Sequence, residues 1–277
     1  MKQERQGRLW ICGTPIGNLE DVSLRLLKVL RSVDVIAAED TRRTGKLLNH
    51  YRIHNKLISY HEHNERTMLP RLMNMLKEGL QVALVSDAGM PGISDPGSKL
   101  VAAAAANDLP VALVPGPTAV VGALVLSGLD IDRFVFYGFV PRRLGEREEL
   151  KEELENQKMT AVLYEAPHRV RETLSWLGGF LGDRLVVLVR ELTKIHEEVL
   201  RGTAEQVLAA VGEEPRGECT LVLEGAQKRK TPANLAKAVE MAQELRQWGL
   251  GSKDAARVAS KFMGVPARAI YQALIES

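Results

Sequence analysis

Three features of the chain predict an α/β protein of two domains followed by a small C-terminal helical tail. Short apolar runs alternate with amphipathic stretches, glycine-rich loops close several of those runs, and a basic segment with helical spacing ends the chain. At 277 residues the chain can bury two medium cores. A composition of 45% hydrophobic and 26% charged residues argues against both long-range disorder and a membrane-embedded chain.

In the first half, apolar runs at 9–12, 35–38, 57–59, 82–85 and 111–114 read as strands. Helical spacing recurs between them at 23–31, 67–77, 96–106 and 118–126. Such repetition predicts a mainly parallel sheet covered by helices. The Pro115-Gly116-Pro117 punctuation closes this pattern, so a first domain is expected over 1–122 and a second α/β domain over 123–225, with the helix from 118 able to bridge both. The second half offers strands at 134–137, 161–164, 185–189 and 219–224, an antiparallel candidate at 197–201, and helices at 146–154, 170–177 and 204–211.

The tail, 226–277, holds nine Lys/Arg against four Asp/Glu, whereas the rest of the chain holds 28 against 31. Helices are expected at 232–248, 252–262 and 266–275, broken by Gly249-Leu250-Gly251 and Met263-Gly264-Val265. Ser252 is expected to cap the N–H of Asp254 or Ala255, and Ala255, Val258, Ala259 and Phe262 to form one apolar face. Helix, turn, helix and positive charge fit a helix-turn-helix nucleic-acid module and equally an oligomerisation or packing appendage.

The polar opening Met1 to Gly7 lacks the pattern of a secretory signal, and the alanine-rich run at 101–106 is too short to span a bilayer. Cys12 and Cys219 each lie in an apolar run and read as reduced core thiols, which favours the cytoplasm. Neither cysteine has the partner spacing of a zinc cluster, and His61-Glu62-His63 does not define a metal site, so no metal is expected.

The chemistry-bearing stretches lie at strand ends. Gly13-Thr14-Pro15-Ile16-Gly17 leaves the first strand with little side-chain bulk, which suits either close approach of a ligand or a tight connection to the next helix. After the strand at 82–85 comes Ser86-Asp87-Ala88-Gly89-Met90-Pro91-Gly92-Ile93-Ser94-Asp95-Pro96-Gly97, with two carboxylates in a loop at the end where open α/β sheets bind ligands. Asp87 or Asp95 suits a ligand amine or ribose hydroxyl, and either also suits an Asx-turn or helix cap. Glu39-Asp40-Thr41-Arg42-Arg43 follows the second strand, where the arginines can meet a phosphate or join a solvated ion-pair network. Tyr164-Glu165-Ala166-Pro167-His168-Arg169 forms either the far wall of a cleft or an ionic tie between the domains through Glu165 and Arg169.

Together these stretches, with Val114-Pro115-Gly116-Pro117-Thr118, closely resemble the ribosomal RNA small-subunit methyltransferase I family of the tetrapyrrole methylase superfamily. The resemblance spans nearly the whole chain, and the Ser86-to-Gly97 loop is its most specific part. It implies a two-domain tetrapyrrole-methylase-like fold and a homodimer that uses S-adenosylmethionine to methylate a cytidine ribose 2′-hydroxyl in the 16S rRNA of the 30S subunit. It also implies that Gly13 and Pro15, then Asp87, Ala88 and Gly89, the backbone near Ser94, and Pro115 with Thr118 surround the cofactor. Tyr164 and Glu165 would close the other side. Tetrapyrrole-modifying relatives more often carry Gly-Asp-Pro where this chain has Ser86-Asp87-Ala88-Gly89, which points away from a tetrapyrrole substrate. For the transfer itself, Glu39 and Asp40 are expected to orient or deprotonate the hydroxyl, and Arg42 to align a backbone phosphate. Methylation of a porphyrin-like or other small molecule, and a non-enzymatic RNA-binding assembly role, are the competing readings.

Overall fold

Five short strands build the first sheet: β1 (Arg8–Cys12), β2 (Val35–Ala38), β3 (Leu57–Ser59), β4 (Gln81–Val85) and β5 (Val111–Val114). Their order is β3-β2-β4-β1-β5 and every pairing is parallel. This is a computed structural model, and it describes residues 6–226 and 232–276; Met1 to Arg5 of the polar opening and the basic run at 227–231 lie outside the described residues. All four residues of β2 and the last four of β4 are buried, as a parallel sheet covered on both faces requires.

Alternate side chains serve opposite layers. Cys12, Ile36, Ala38, Ala83 and Val85 pack with Leu26, Val29 and Leu30 of α1 (Leu24–Ser32). Leu9, Ile11, Val35, Val82 and Leu84 instead meet Leu72 and Leu76 of α3 (Glu65–Lys77) and Leu100 of α4 (Ser98–Ala106). Between α1 and α3, α2 (Thr41–His50) occupies a stretch that the sequence presented only as a polar cluster. It buries Thr44, Leu47 and Leu48 at helical spacing on one narrow face, and it opens on an N-cap: the Asp40 carboxylate accepts the Arg42 N–H at 2.8 Å.

The second sheet has the order β6-β7-β10-β8-β9, built from β6 (Phe134–Phe139), β7 (Thr160–Glu165), β8 (Val186–Arg190), β9 (Glu198–Gly202) and β10 (Cys219–Leu223). Only β6 and β7 run parallel; the other three pairings are antiparallel. One face carries α6 (Leu144–Asn156), α7 (Val170–Leu181) and α8 (Ala204–Ala210). The other is covered by α5 (Ala119–Ser127), whose Val120, Ala123 and Leu124 pack on Val162, Val187, Val189 and Val222. The expected domain boundary between residues 122 and 123 falls inside α5, whose buried residues pack on the second sheet.

The chain divides into two compact units, Met1–Ala226 and Gln227–Ser277. The second contains α9 (Pro232–Gln247), α10 (Ser252–Met263) and α11 (Ala267–Glu276) around Ala238, Ala242, Ala255, Ala256, Ala259, Ile270 and Leu274. Two expectations for the tail fail. Gly251 rather than Ser252 is the N-cap of α10, and the Gly251 carbonyl, not the serine hydroxyl, accepts the N–H groups of Asp254 and Ala255. Phe262 is 75% exposed, and Ala256 takes the core position expected of it, because alanines let the three helices approach closely. No helix among the described residues is long and apolar enough to cross a membrane. Both cysteines are free and buried, Cys12 in β1 and Cys219 in β10.

Candidate active site

The loops leaving β1, β4 and β5 meet at the carboxyl ends of the parallel strands. Thr14 and Gly89 form a two-way bridge, each amide donating to the other's carbonyl at 2.9 and 3.1 Å. Gly13 lies against Gly116 so closely that a Cβ on Gly13 would stand 2.6 Å from the Gly116 nitrogen, and one on Gly116 would stand 2.7 Å from the Gly13 carbonyl. Gly13 thus serves backbone-to-backbone contact between two loops, a use distinct from both the ligand approach and the tight strand-to-helix connection expected of it. Gly17 performs the same service against the second sheet's loop, where a Cβ would fall 2.9 Å from the Leu192 carbonyl.

A cleft of about 360 Å³ opens between these loops and the second sheet. Its first wall is Glu39, Asp87, Ala88, Gly89, Ser94 and Thr118; Tyr164 and Glu165 stand on the other. These are eight of the residues singled out from the sequence. The other five, Gly13, Pro15, Asp40, Arg42 and Pro115, do not line it; Pro115 lines a second, open groove together with Thr118, Val121 and Val125. Asp95 and Arg43 do line the cleft, so both Asp87 and Asp95 reach it, whereas Arg43 does so and Arg42 does not. Phe139 and the stretch 217–220 also contribute and were not anticipated. Gly138, with φ of 72° at an irregularity in the β6 register, was the available signal for the first, since it re-aims Phe139.

Hydrogen bonds fix several of these groups. Glu39 Oε2 accepts the Asp87 N–H at 3.2 Å, and Asp87 Oδ1 accepts the Asp40 N–H at 3.0 Å, so the ends of β2 and β4 brace each other. Arg43 Nη1 stands 3.4 Å from Asp87 Oδ2. Asp40 is taken up by Arg42, whose guanidinium grips its carboxylate at 2.7 Å and holds it well below the usual carboxylate range. Arg42 is exposed and Asp40 half-buried, and neither lines the cleft; with its carboxylate held by Arg42, Asp40 is unsuited to accept a proton near neutrality. Glu39 shifts the other way, raised by burial and then by the Asp87 charge, against the pull of the Asp87 amide.

Glu165 is tied into the corner after β7. Oε1 accepts the Ala166 N–H at 2.7 Å, Oε2 accepts the Thr173 hydroxyl at 2.6 Å, and Arg169 pairs with the carboxylate at 3.3 Å. Arg169 also donates to the carbonyls of Val140 and Pro141, both at 3.1 Å. The pair therefore closes a corner within the second sheet's own domain instead of tying the two domains together. Tyr164 is pushed up to about 12, by burial and then by the Asp95 charge, and so presents a neutral hydroxyl to the cleft. No cluster of His, Cys, Asp and Glu suited to a metal ion occurs among the described residues.

The family model for tetrapyrrole (corrin/porphyrin) methylases matches residues 8–208. A "Ribosomal RNA small subunit methyltransferase I" of Halalkalibacterium halodurans is 44% identical over 275 residues, covering 98% of this chain and 95% of the relative. The protein of the same name from Synechocystis sp. is also 44% identical, with 98% of each chain covered. Among solved structures, uroporphyrin-III-C-methyltransferase from Thermus thermophilus superimposes with a TM-score of 0.54 at 21% identity, over 78% of this chain and 94% of that one, a likeness of fold. The strand orders, the loop-built cleft and these matches agree: the chain belongs to the tetrapyrrole methylase family and, within it, to the ribosomal RNA small subunit methyltransferase I group.

Proposed function

We propose that the protein methylates a cytidine ribose 2′-hydroxyl of 16S rRNA in the small subunit, with S-adenosylmethionine as methyl donor, as a homodimer in the cytoplasm. The observation that carries this reading is the cleft itself, at the carboxyl ends of the parallel strands, in a chain whose full-length relatives bear the rRNA methyltransferase name. Its make-up fits the cofactor. Glu39, Asp87 and Asp95 outnumber Arg43, so a cationic ligand is favoured, while Ile16, Met90 and Phe139 offer apolar surface to a flat ring. Bound there, the cofactor supplies an electrophilic methyl group on a sulfonium.

The chain's own residues then have separable tasks. Gly89, with φ of 78°, turns the backbone beside Ala88 toward the ligand without side-chain bulk. Gly13, Pro15 and Pro115 act from behind, holding the first and third loops in register through the Gly13–Gly116 contact. Glu39 and Asp87 orient polar ligand atoms, Asp40 holds Arg42, and Arg42, 88% exposed, is placed to meet a phosphate. The basic tail captures RNA more broadly.

Self-association is supported by α5, which is apolar on all sides: it buries one face on the second sheet yet leaves Val121 50% and Val125 65% exposed. Leu113, on the edge strand β5, is 54% exposed.

The test is transfer of isotope-labelled methyl from S-adenosylmethionine to 30S subunits lacking the modification, followed by nucleoside mass spectrometry and mapping. A 2′-O-methylcytidine at one 16S position is the expected result. Turnover of a porphyrin-like acceptor, with no transfer to 30S or to free 16S rRNA, would overturn the reading.

A further inference from the structure

Five carboxylates line the cleft, and of the three on its first-sheet side, Glu39, Asp87 and Asp95, the fold treats one differently. Glu39 and Asp87 each accept a backbone N–H from the neighbouring strand end, and Asp87 has Arg43 beside it. Asp95 has no cation paired with it among the described residues and accepts no backbone N–H there; the Ser86 hydroxyl is the polar group that faces it. It follows Ser94, a non-glycine residue held at φ of 60°, whose hydroxyl lies 3.7 Å from where a Cβ on Gly138 would stand. The loop thus crosses from the first sheet to the bulge of β6, and it delivers Asp95 to the wall it shares with Tyr164 and Phe139.

Resting on the methyl-transfer reading above, we propose that Asp95 is the proton acceptor for the substrate hydroxyl. The O–H bond breaks and its proton passes to an Asp95 carboxylate oxygen. The electron pair left on the hydroxyl oxygen forms the bond to the methyl carbon, and the sulfur–carbon bond breaks with its pair staying on sulfur. One positive charge disappears from the ligand as one negative charge disappears from Asp95, so the cleft's charge balance is kept.

The electrostatics of the cleft suit this role. Burial, then Glu39 and Asp87, push Asp95 up to about 7, with the Ser86 hydroxyl opposing them. The other charged or titratable groups around the cleft are Arg43 from α2, Tyr164 and Glu165 at the end of β7, Glu218 just before β10, and Cys219 in β10, whose thiol burial pushes up to about 12. Glu165 is neutralised by Arg169, and Lys194 pairs with Glu218 at 3.4 Å. A cationic ligand lowers the proton affinity of Asp95 on arrival, leaving a carboxylate ready to act. Loss of the sulfonium charge raises that affinity again, in the direction that draws the proton across.

The experiment pairs single-turnover methyl transfer to 30S with calorimetry of cofactor binding in buffers of different ionisation heat. Asp95→Asn should slow transfer by roughly 10²–10⁴-fold and remove the rise in rate with pH that wild type should show, which lies below the free-enzyme value of about 7 once the cofactor is bound. Asp95→Glu, which keeps the base, should recover part of the loss. Wild type should release a proton on binding S-adenosylmethionine near neutrality but not on binding S-adenosylhomocysteine, which lacks the sulfonium, and Asp95→Asn should release none. A transfer rate in Asp95→Asn within about threefold of wild type with the same pH profile, or no proton release by wild type, overturns the proposal. If wild type instead fails to methylate 30S, the substrate reading falls, and the proton release still decides whether Asp95 answers to the cofactor's charge.

Discussion

Glu165 and Asp95 are both carboxylates at the rim of one cleft, and the fold has spent its hydrogen bonds on only one of them. Glu165, with its side chain fully buried, receives an amide, a hydroxyl and a guanidinium, and that guanidinium is itself satisfied by two carbonyls. Asp95 receives burial and two like charges, with one serine hydroxyl against them. A saturated carboxylate is a structural corner that has no capacity left for a substrate. One left short of partners keeps its proton affinity near neutrality, where a change in ligand charge can move it.

Breaking the saturated corner should have the largest effect on stability. Glu165→Ala leaves the nearly buried Arg169 without its counter-charge and should cost about 3–5 kcal/mol, read as a fall in the urea midpoint at unchanged slope. A cost below about 1 kcal/mol would show the corner to be as dispensable as a surface pair. Next comes the junction that supports the unsaturated side. Gly13→Ala drives a Cβ to 2.6 Å from the Gly116 nitrogen, where backbone must move. A loss of about 1–3 kcal/mol is expected, with weaker cofactor binding by calorimetry as the first and third loops separate; binding unchanged from wild type would mean the junction does not shape the cleft. The smallest effect belongs to Arg42→Ala, which removes a solvated partner of Asp40. The melting temperature should stay where it is, while RNA binding weakens alike for all sequences and its salt dependence drops by about one phosphate contact.

Much of this was legible from residues alone, for reasons that differ by element. The loop from Ser86 to Gly97 announced itself because small residues and two acids follow a strand buried on both faces, and Val82 to Val85 are indeed buried. Tyr164 was legible as the last residues of an apolar strand meeting polar ones. The unequal roles of Asp87 and Asp95 were not, since they are decided by Glu39 and Arg43, more than forty positions away, and by which acid receives an amide. Gly13 and Gly17 showed a need for small residues, read as ligand approach or a tight connection, but not that loops distant in sequence, at Gly116 and Leu192, press against them. Arg42 and Arg43 are told apart by their phase on α2, a short helix whose buried face is only Thr44, Leu47 and Leu48 and whose sequence reads as a polar cluster. The contribution of 217–220 comes from β10 lying in the middle of its sheet, beside β7, a pairing that no local pattern encodes.

The two buried cysteines fall one to each sheet, and burial pushes both thiols up to about 12. At neutral pH neither offers an alkylating reagent a thiolate while its strand stays paired. The molecule therefore carries two built-in clocks, because labelling of Cys12 times the opening of the parallel half and labelling of Cys219 times that of the antiparallel half. Peptide masses from one labelled sample would separate the two rates, and would reveal whether the halves on either side of the cleft come apart together or in turn.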